Sequence, residues 1–186
     1  MADAVLFDPT LHQYRNEEGR IFPSVTEVIR GSGKFFYRNA QESIERGTKV
    51  HKMLEKYDLG SSRCPAALRP YKNAYRDWKR SVEFVPLVVE RPFISPYGYA
   101  GTVDRTGYIG PKLEQCVLDL KTGVAVPEWC RLQLVAYGMH AFGRPVRRIA
   151  LRLSPEGKAY VKEYPLSSFL VDWAEFMELL RRHRAA

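Results

Sequence analysis

Cysteine is scarce in this chain of 186 residues: Cys64, Cys116 and Cys130 stand far apart, with no C-x-x-C pair. That argues against a disulfide framework, a zinc site and a four-cysteine iron–sulfur cluster, and it points to a reducing compartment. No apolar run reaches membrane-spanning length. The start, Met1-Ala2-Asp3-Ala4, lacks the basic and apolar regions of a secretory leader, so a cytoplasmic protein without a membrane partner is expected. Internal repeats and low-complexity tracts are missing as well. Negative charge is in deficit: 21 acidic residues face 29 basic ones, giving a formal charge of +8. An excess of that sign favours a polyanionic partner, although basicity alone is a weak signal.

What is present fits one domain. Hydrophobic residues make up 45% and charged residues 27%, a globular balance, and the length allows one full core. The expected division is an amino-terminal hairpin and helix over residues 1–40 and a core over 41–186. Leu6 to Tyr14 and Gly19 to Phe22 predict a hairpin around Asn16-Glu17-Glu18-Gly19. Ser24 with Glu27 three residues on is a capping box, so a helix starts there. Lys34 to Arg38 mixes aromatic and basic residues, open between packing on the core and contact with nucleic acid. Gln41 to Leu59 predicts a long helix whose inward face carries Ile44, Gly47, Val50, His51, Leu54 and Tyr57. Gly47 would allow a close approach to the sheet. His51 is either a satisfied core histidine or a ligand.

Pro65 to Val82 predicts a second helix with two sides. Leu68, Tyr71, Tyr75, Trp78 and Val82 face the core. Arg69, Lys72, Arg76, Lys79 and Arg80 form a basic stripe, either a solvated face or a phosphate track. Three antiparallel strands follow: Phe84 to Phe93 with Glu90 in its middle, Tyr99 to Ile109, and a central strand ending Asp119-Leu120-Lys121. Strand side chains alternate, so Asp119 and Lys121 share a face and Leu118 and Leu120 share the other. A carboxylate and an ammonium there are costly to bury unless they meet each other or a metal ion. Asp104 can lie beside Asp119 across the ladder. Two neighbouring carboxylates imply a cation or a raised pKa. Pro127 to Phe142 predicts a buried helix carrying Gln133 and Tyr137. A strand from Val146 to Leu153, a hairpin strand to Tyr164 and a helix capped by Ser167 or Ser168 close the chain. That helix carries Phe169, Leu170, Trp173, Phe176, Met177 and Leu180 as its core stripe. The expected class is α/β, a central mixed sheet flanked by helices.

Four motifs stand in order: Gly47-x-x-x-His51, Gly101-x-x-Asp104, Asp119-x-Lys121 and Gln133-x-x-x-Tyr137. Together they resemble the RecB-like branch of the PD-(D/E)XK nuclease superfamily. Pro23-Ser24-Val25-Thr26, after a hairpin carrying His12 and Tyr14, is similar to phage-encoded and mitochondrial genome maintenance exonucleases of that branch. The resemblance runs from about residue 6 to residue 140. It implies a restriction-endonuclease-like core and hydrolysis of DNA from a free end, in recombination, repair or processing. An endonuclease and a non-catalytic nucleic-acid module are the alternatives. It implies Mg²⁺, replaceable by Mn²⁺, on Asp104, Asp119, the Leu120 carbonyl and His51, with Lys121 orienting or deprotonating the attacking water. Gln133 and Tyr137 would touch the DNA or brace the motif. Glu90 matches no ligand position and stands as a neighbour of the ligands. Recombination or replication proteins are the implied partners. Four-cysteine relatives hold an iron–sulfur cluster; this chain has no cysteine after Cys130, so none is expected.

Overall fold

The computed structural model describes residues 5–8, 10–31, 33 and 41–185. The Lys34 to Arg38 stretch lies outside them. Eight strands and five helices follow in order: β1 (Leu6–Asp8), β2 (Gln13–Arg15), β3 (Ile21–Phe22), α1 (Val25–Arg30), α2 (Gln41–Asp58), α3 (Arg69–Ser81), β4 (Val85–Ile94), β5 (Ala100–Ile109), β6 (Glu114–Lys121), α4 (Cys130–Phe142), β7 (Arg147–Leu153), β8 (Ala159–Tyr164) and α5 (Phe169–Ala185).

The main sheet runs β4-β5-β6-β7-β8. Only β6 and β7 are parallel. A parallel pair needs a crossover, and α4 supplies it. The alternation of β6 sorts its side chains between two cores. Val117 packs with α1, α4 and α5. Cys116, Leu118 and Leu120 pack with α2 and α3. The strand is buried on both faces, which explains its continuous apolar run. Truncating Leu118 or Leu120 to alanine would cost about 2–5 kcal/mol. The class is therefore the expected one, a mixed sheet with helices on both faces.

The amino-terminal segment forms a three-stranded antiparallel sheet rather than a hairpin. A turn at Asp8, whose carboxylate accepts from Thr10 and Leu11 N–H, splits the first predicted strand in two. The sheet is tied to the start of β5. Tyr14 Oη meets Thr102 Oγ1 at 3.0 Å, and Ala100 N–H donates to Pro23 O at 2.9 Å. The Ser24–Glu27 capping box forms in both directions, at 3.2 and 2.6 Å. Two predicted core residues are exposed, Ile44 and Leu170. Both sit in the first turn of their helices, where no described element covers them. Ser168 spends its hydroxyl on Asp172 and on Arg148, a fully buried arginine, instead of capping α5.

Candidate active site

The site forms where β5 and β6 part. Their ladder runs from Ile109–Glu114 to Arg105–Leu118 and stops. Beyond it a side chain replaces the backbone partner: Leu120 N–H donates to Asp104 Oδ2 at 2.7 Å. A buried amide needs an acceptor, so Asp104 both closes the ladder and keeps its carboxylate at the strand end. On the other side of β5, Glu90 in β4 adopts φ +45°. A non-glycine residue there costs on the order of 1–2 kcal/mol, and such strain collects at functional sites.

α2 brings His51 to the same point. Val50, Met53 and Leu54 anchor the helix to the sheet. His51 Nδ1 lies 3.2 Å from Glu90 Oε1 and 3.6 Å from Asp104 Oδ2, while Nε2 lies 3.1 Å from the Leu120 carbonyl oxygen. The ligand atoms of His51, Glu90 and Asp104 all fall within 4.8 Å of one another. Glu90, read from sequence as a neighbour of the ligands, is thus a full member of this trio.

Asp119 and Lys121 point away from Leu118 and Leu120 on β6, toward α4. Lys121 Nζ is 2.6 Å from Asp119 Oδ2 and donates to Gln133 Oε1 at 3.0 Å. Gln133 Nε2 donates to Tyr137 Oη at 2.9 Å. The Cys130 thiol donates to Asp119 Oδ2 at 3.5 Å, and the ammonium lies 5.2 Å from the Trp129 ring centroid. Asp119 is therefore paired with Lys121 and lies outside the His51–Glu90–Asp104 cluster. The strand end carries two adjoining clusters, with the Leu120 backbone bonded to the first through its carbonyl and its N–H.

Electrostatics tie the halves together. Burial pushes the Asp104 carboxyl up to about 7; His51 opposes this, while Glu90 and Asp119 reinforce it. Burial works against a charged His51, yet Asp104 and Glu90 overcome it and hold the imidazole proton up to about 9. Burial also works against the Lys121 ammonium, but Asp119 outweighs it and raises its pKa, so Lys121 stays charged. Partial burial works to raise the Glu90 carboxyl, but His51 and Arg105 hold it below its ordinary value. Near neutrality the cluster thus retains protons between closely set carboxylates. A divalent cation relieves the same repulsion, and carboxylate, carbonyl and imidazole donors suit Mg²⁺ or Mn²⁺. The residues present fit such an ion.

One residue that braces this cluster escaped the sequence reading. Arg105 is fully buried. Its Nη1 donates to Glu90 Oε1 at 2.7 Å and to the Asp104 carbonyl at 2.8 Å, and its Nε donates to Asp58 Oδ2 at 3.0 Å. Asp58 also accepts from Tyr75 Oη at 2.8 Å and Lys79 Nζ at 2.7 Å. A chain of charges therefore runs from α3 through the end of α2 to Glu90. The available signal was two consecutive charges, Asp104-Arg105, inside a strand buried on both faces.

The basic stripe of α3 breaks up in three dimensions. Lys79 is spent on Asp58, so it is not free for phosphate. Lys72 donates to Ser62 O at 2.9 Å, and Arg76 pairs with Asp77 at 2.8 Å on the surface. Arg69 and Arg80 are exposed. Gly47 meets Thr122 Oγ1 just after β6, but an added methyl would sit at an ordinary 3.4 Å. Gly101 is tighter: a methyl there would lie 3.0 Å from Tyr137 and 3.1 Å from Phe93. It is the second glycine, not the first, whose missing side chain lets the motif close.

Among the described residues no helix is long and apolar enough to cross a membrane. No family model matches the chain, and no curated protein matches it in sequence. Among solved structures, it is similar to an alkaline exonuclease from Laribacter hongkongensis, at 12% identity and a TM-score of 0.36, over 87% of this chain and 92% of that one. It is also similar to that exonuclease in complex with dAMP, at 13% identity and a TM-score of 0.35, over 88% and 93% of the two chains.

Proposed function

We propose that the protein is a metal-dependent deoxyribonuclease acting on DNA with a free end. The observation that carries this reading is the joining of two clusters at one strand end. His51, Glu90 and Asp104 converge within 4.8 Å, and Asp119 and Lys121 pair at 2.6 Å beside them. The ordered motifs that resemble RecB-like nucleases fall on these same elements, with Gln133 and Tyr137 completing the second half.

Asp104, His51, Glu90 and the Leu120 carbonyl would hold Mg²⁺ or Mn²⁺, with Asp119 as a further donor beside them. When bound, the ion polarises the scissile phosphate and acidifies a water. Lys121 is held as an ammonium, so it places positive charge beside the phosphate and orients water by donating hydrogen bonds. Removal of a proton by Lys121 requires that the cation first lower its pKa. Gln133 accepts from Lys121 and fixes that ammonium; Tyr137, neutral because burial raises its pKa well above the usual range, fixes Gln133. Arg69 and Arg80, with the partly engaged Lys72 and Arg76, remain the candidate contacts to more distant phosphates.

The test is digestion of end-labelled linear and closed circular DNA, single- and double-stranded, with Mg²⁺ or Mn²⁺. Release of label from linear DNA, absent in Lys121→Ala and in Asp104→Ala, is the expected result. Cutting of closed circles would make the enzyme an endonuclease. No cleavage of any substrate would leave a nucleic-acid-binding module.

A further inference from the structure

A groove of about 1200 Å³ lies along the outer edge of β4, away from the paired carboxylates. It is bounded by β4, the turn after it, the amino-terminal sheet and the ends of α4 and α5. At this volume it exceeds an ordinary small-molecule pocket. Among the described residues its walls carry three guanidinium groups, Arg20, Arg91 and Arg184, and no carboxylate. Arg91 is exposed and in no ion pair among the described residues. Arg20 lies over the Phe22 ring, 5.0 Å from its centroid. Arg184 is held by the carbonyl oxygens of Tyr97 and Gly98, at 2.5 and 3.1 Å, which fix its position without neutralising it.

The second component is aromatic. His140 stacks on Phe93, with ring centroids 3.8 Å apart and planes at 14°. Burial holds His140 down to about 4, so the ring is neutral and offers a face rather than a charge. Phe93 in turn meets Tyr137 edge-on at 5.8 Å. His140, Tyr137 and Gln133 lie along one side of α4, and seven residues of helix span about 10 Å. The groove therefore begins one aromatic contact away from the chain of hydrogen bonds that ends at Lys121.

Fixed cations beside an apolar ring surface are the two components of single-strand binding: phosphates take the charge and an unstacked base takes the ring. A duplex keeps its bases stacked on each other and offers a free face only at its terminal pair. We infer that this groove holds the single strand of DNA on which the site acts, with phosphates on Arg20, Arg91 and Arg184 and a base on the His140–Phe93 pair. The inference deepens the nuclease reading and rests on it for the identity of the strand.

The experiment is fluorescence anisotropy with a labelled oligothymidine, using Lys121→Ala protein in EDTA so that nothing is cut. Arg20→Glu with Arg91→Glu should weaken binding at low salt by about 30-fold or more. It should also flatten the salt dependence, by roughly 0.7 in log–log slope for each lost phosphate contact. His140→Ala should weaken binding by about 5- to 100-fold with the salt slope unchanged, and His140→Tyr should restore it. Circular dichroism and thermal melts establish that the variants fold. Unchanged affinity in folded variants overturns the inference, as does a blunt duplex that binds more tightly and depends on the same residues. An acidic peptide that competes as well as the oligonucleotide also overturns it. The nuclease reading fails separately: a wild type that cuts nothing, but binds the oligonucleotide through these residues, leaves the groove standing.

Discussion

Arg105→Met is the sharpest perturbation the fold offers. The side chain is fully buried and donates to Asp58, Glu90 and the Asp104 carbonyl. Methionine has a similar length and no charge, so it fills the space and leaves the acceptors behind. Breaking a buried pair by removing one partner costs about 3–5 kcal/mol. Asp58 keeps Tyr75 and Lys79, and Glu90 keeps His51, so the lower end applies, about 3 kcal/mol. In a chain of this size each kcal/mol moves the melting temperature by about 2–4 °C, so a fall of about 6–12 °C is expected. Glu90 loses the donor that holds its oxygen toward His51. Residues that orient metal ligands typically contribute 10- to 100-fold in affinity, so Mn²⁺ binding should weaken by that order. Urea titration and calorimetric Mn²⁺ titration measure the two effects. Asp58→Asn tests the wiring: combined with Arg105→Met, it should cost clearly less than the two single changes added together. A variant within about 0.5 kcal/mol of wild type, with unchanged Mn²⁺ affinity, would refute the reasoning.

Protons and metal should compete. Asp104 is raised to about 7 and His51 to about 9, so Mn²⁺ must displace protons from both. Mn²⁺ affinity by calorimetry should rise steadily from pH 6 to pH 9, with proton release seen as a dependence on buffer ionisation enthalpy. In EDTA the sign runs the other way for stability. The His51 contribution is complete below about 6.5 and lost as pH rises through about 9; the Asp104 penalty grows above about 3.8 and is complete above about 7. The metal-free protein should therefore melt lower at pH 9 than at pH 6, and Asp104→Asn should reduce that difference. His140, lowered to about 4, acts at the acid end: its stabilisation is full above about 6.5 and lost as pH falls toward 4, with a ceiling of about 3 kcal/mol. His140→Phe should flatten the stability curve over that window in urea titrations. Gly101→Ala should cost about 1–3 kcal/mol, because Phe93 and Tyr137 must both give way. Its cleavage rate should fall further than its melting temperature implies, because Tyr137 steadies Gln133.

Much of this architecture was legible because local signals agree with one another. Ser24 and Glu27 cap α1 as their spacing demands. The run Cys116 to Leu120 is apolar on both sides and becomes a strand buried on both sides. His51 meets Asp104, and Lys121 meets Asp119 and Gln133 with Tyr137 behind it, so the four motifs come close together, while Asp119 stays paired with Lys121 instead of joining His51 and Asp104. The basic stripe overcounts free cations because a helical wheel sees one helix and cannot see Asp58, which sits on another and takes Lys79. Ile44 misled for a related reason. Its periodicity fits the buried face of α2, but burial depends on what lies opposite, and the apolar anchors begin only at Val50.

Glu90 shows where sequence reasoning stops for a deeper physical reason. Its place in the cluster comes from a backbone angle and a cross-strand neighbour, neither of which leaves a compositional trace. In a regular β4, alternation would set Glu90 on a face fixed by its register. The left-handed φ re-aims it toward His51 and Arg105. That conformation is unfavourable by itself, so the partners must hold it, and the strongest of them is a buried arginine. Arg105 in turn would be intolerable in that core without Asp58, and Asp58 draws in Lys79 and Tyr75. Each charge is buried at an energetic cost that the next one offsets. The chain terminates only where solvent reaches Lys79 on one side and the carboxylate cluster on the other. Asp58 of α2 and Lys79 of α3, two charges that resemble a surface face in sequence, thus support the site. Removing any link should be felt at Glu90 before it is felt at Asp119, which depends on Lys121 across the strand.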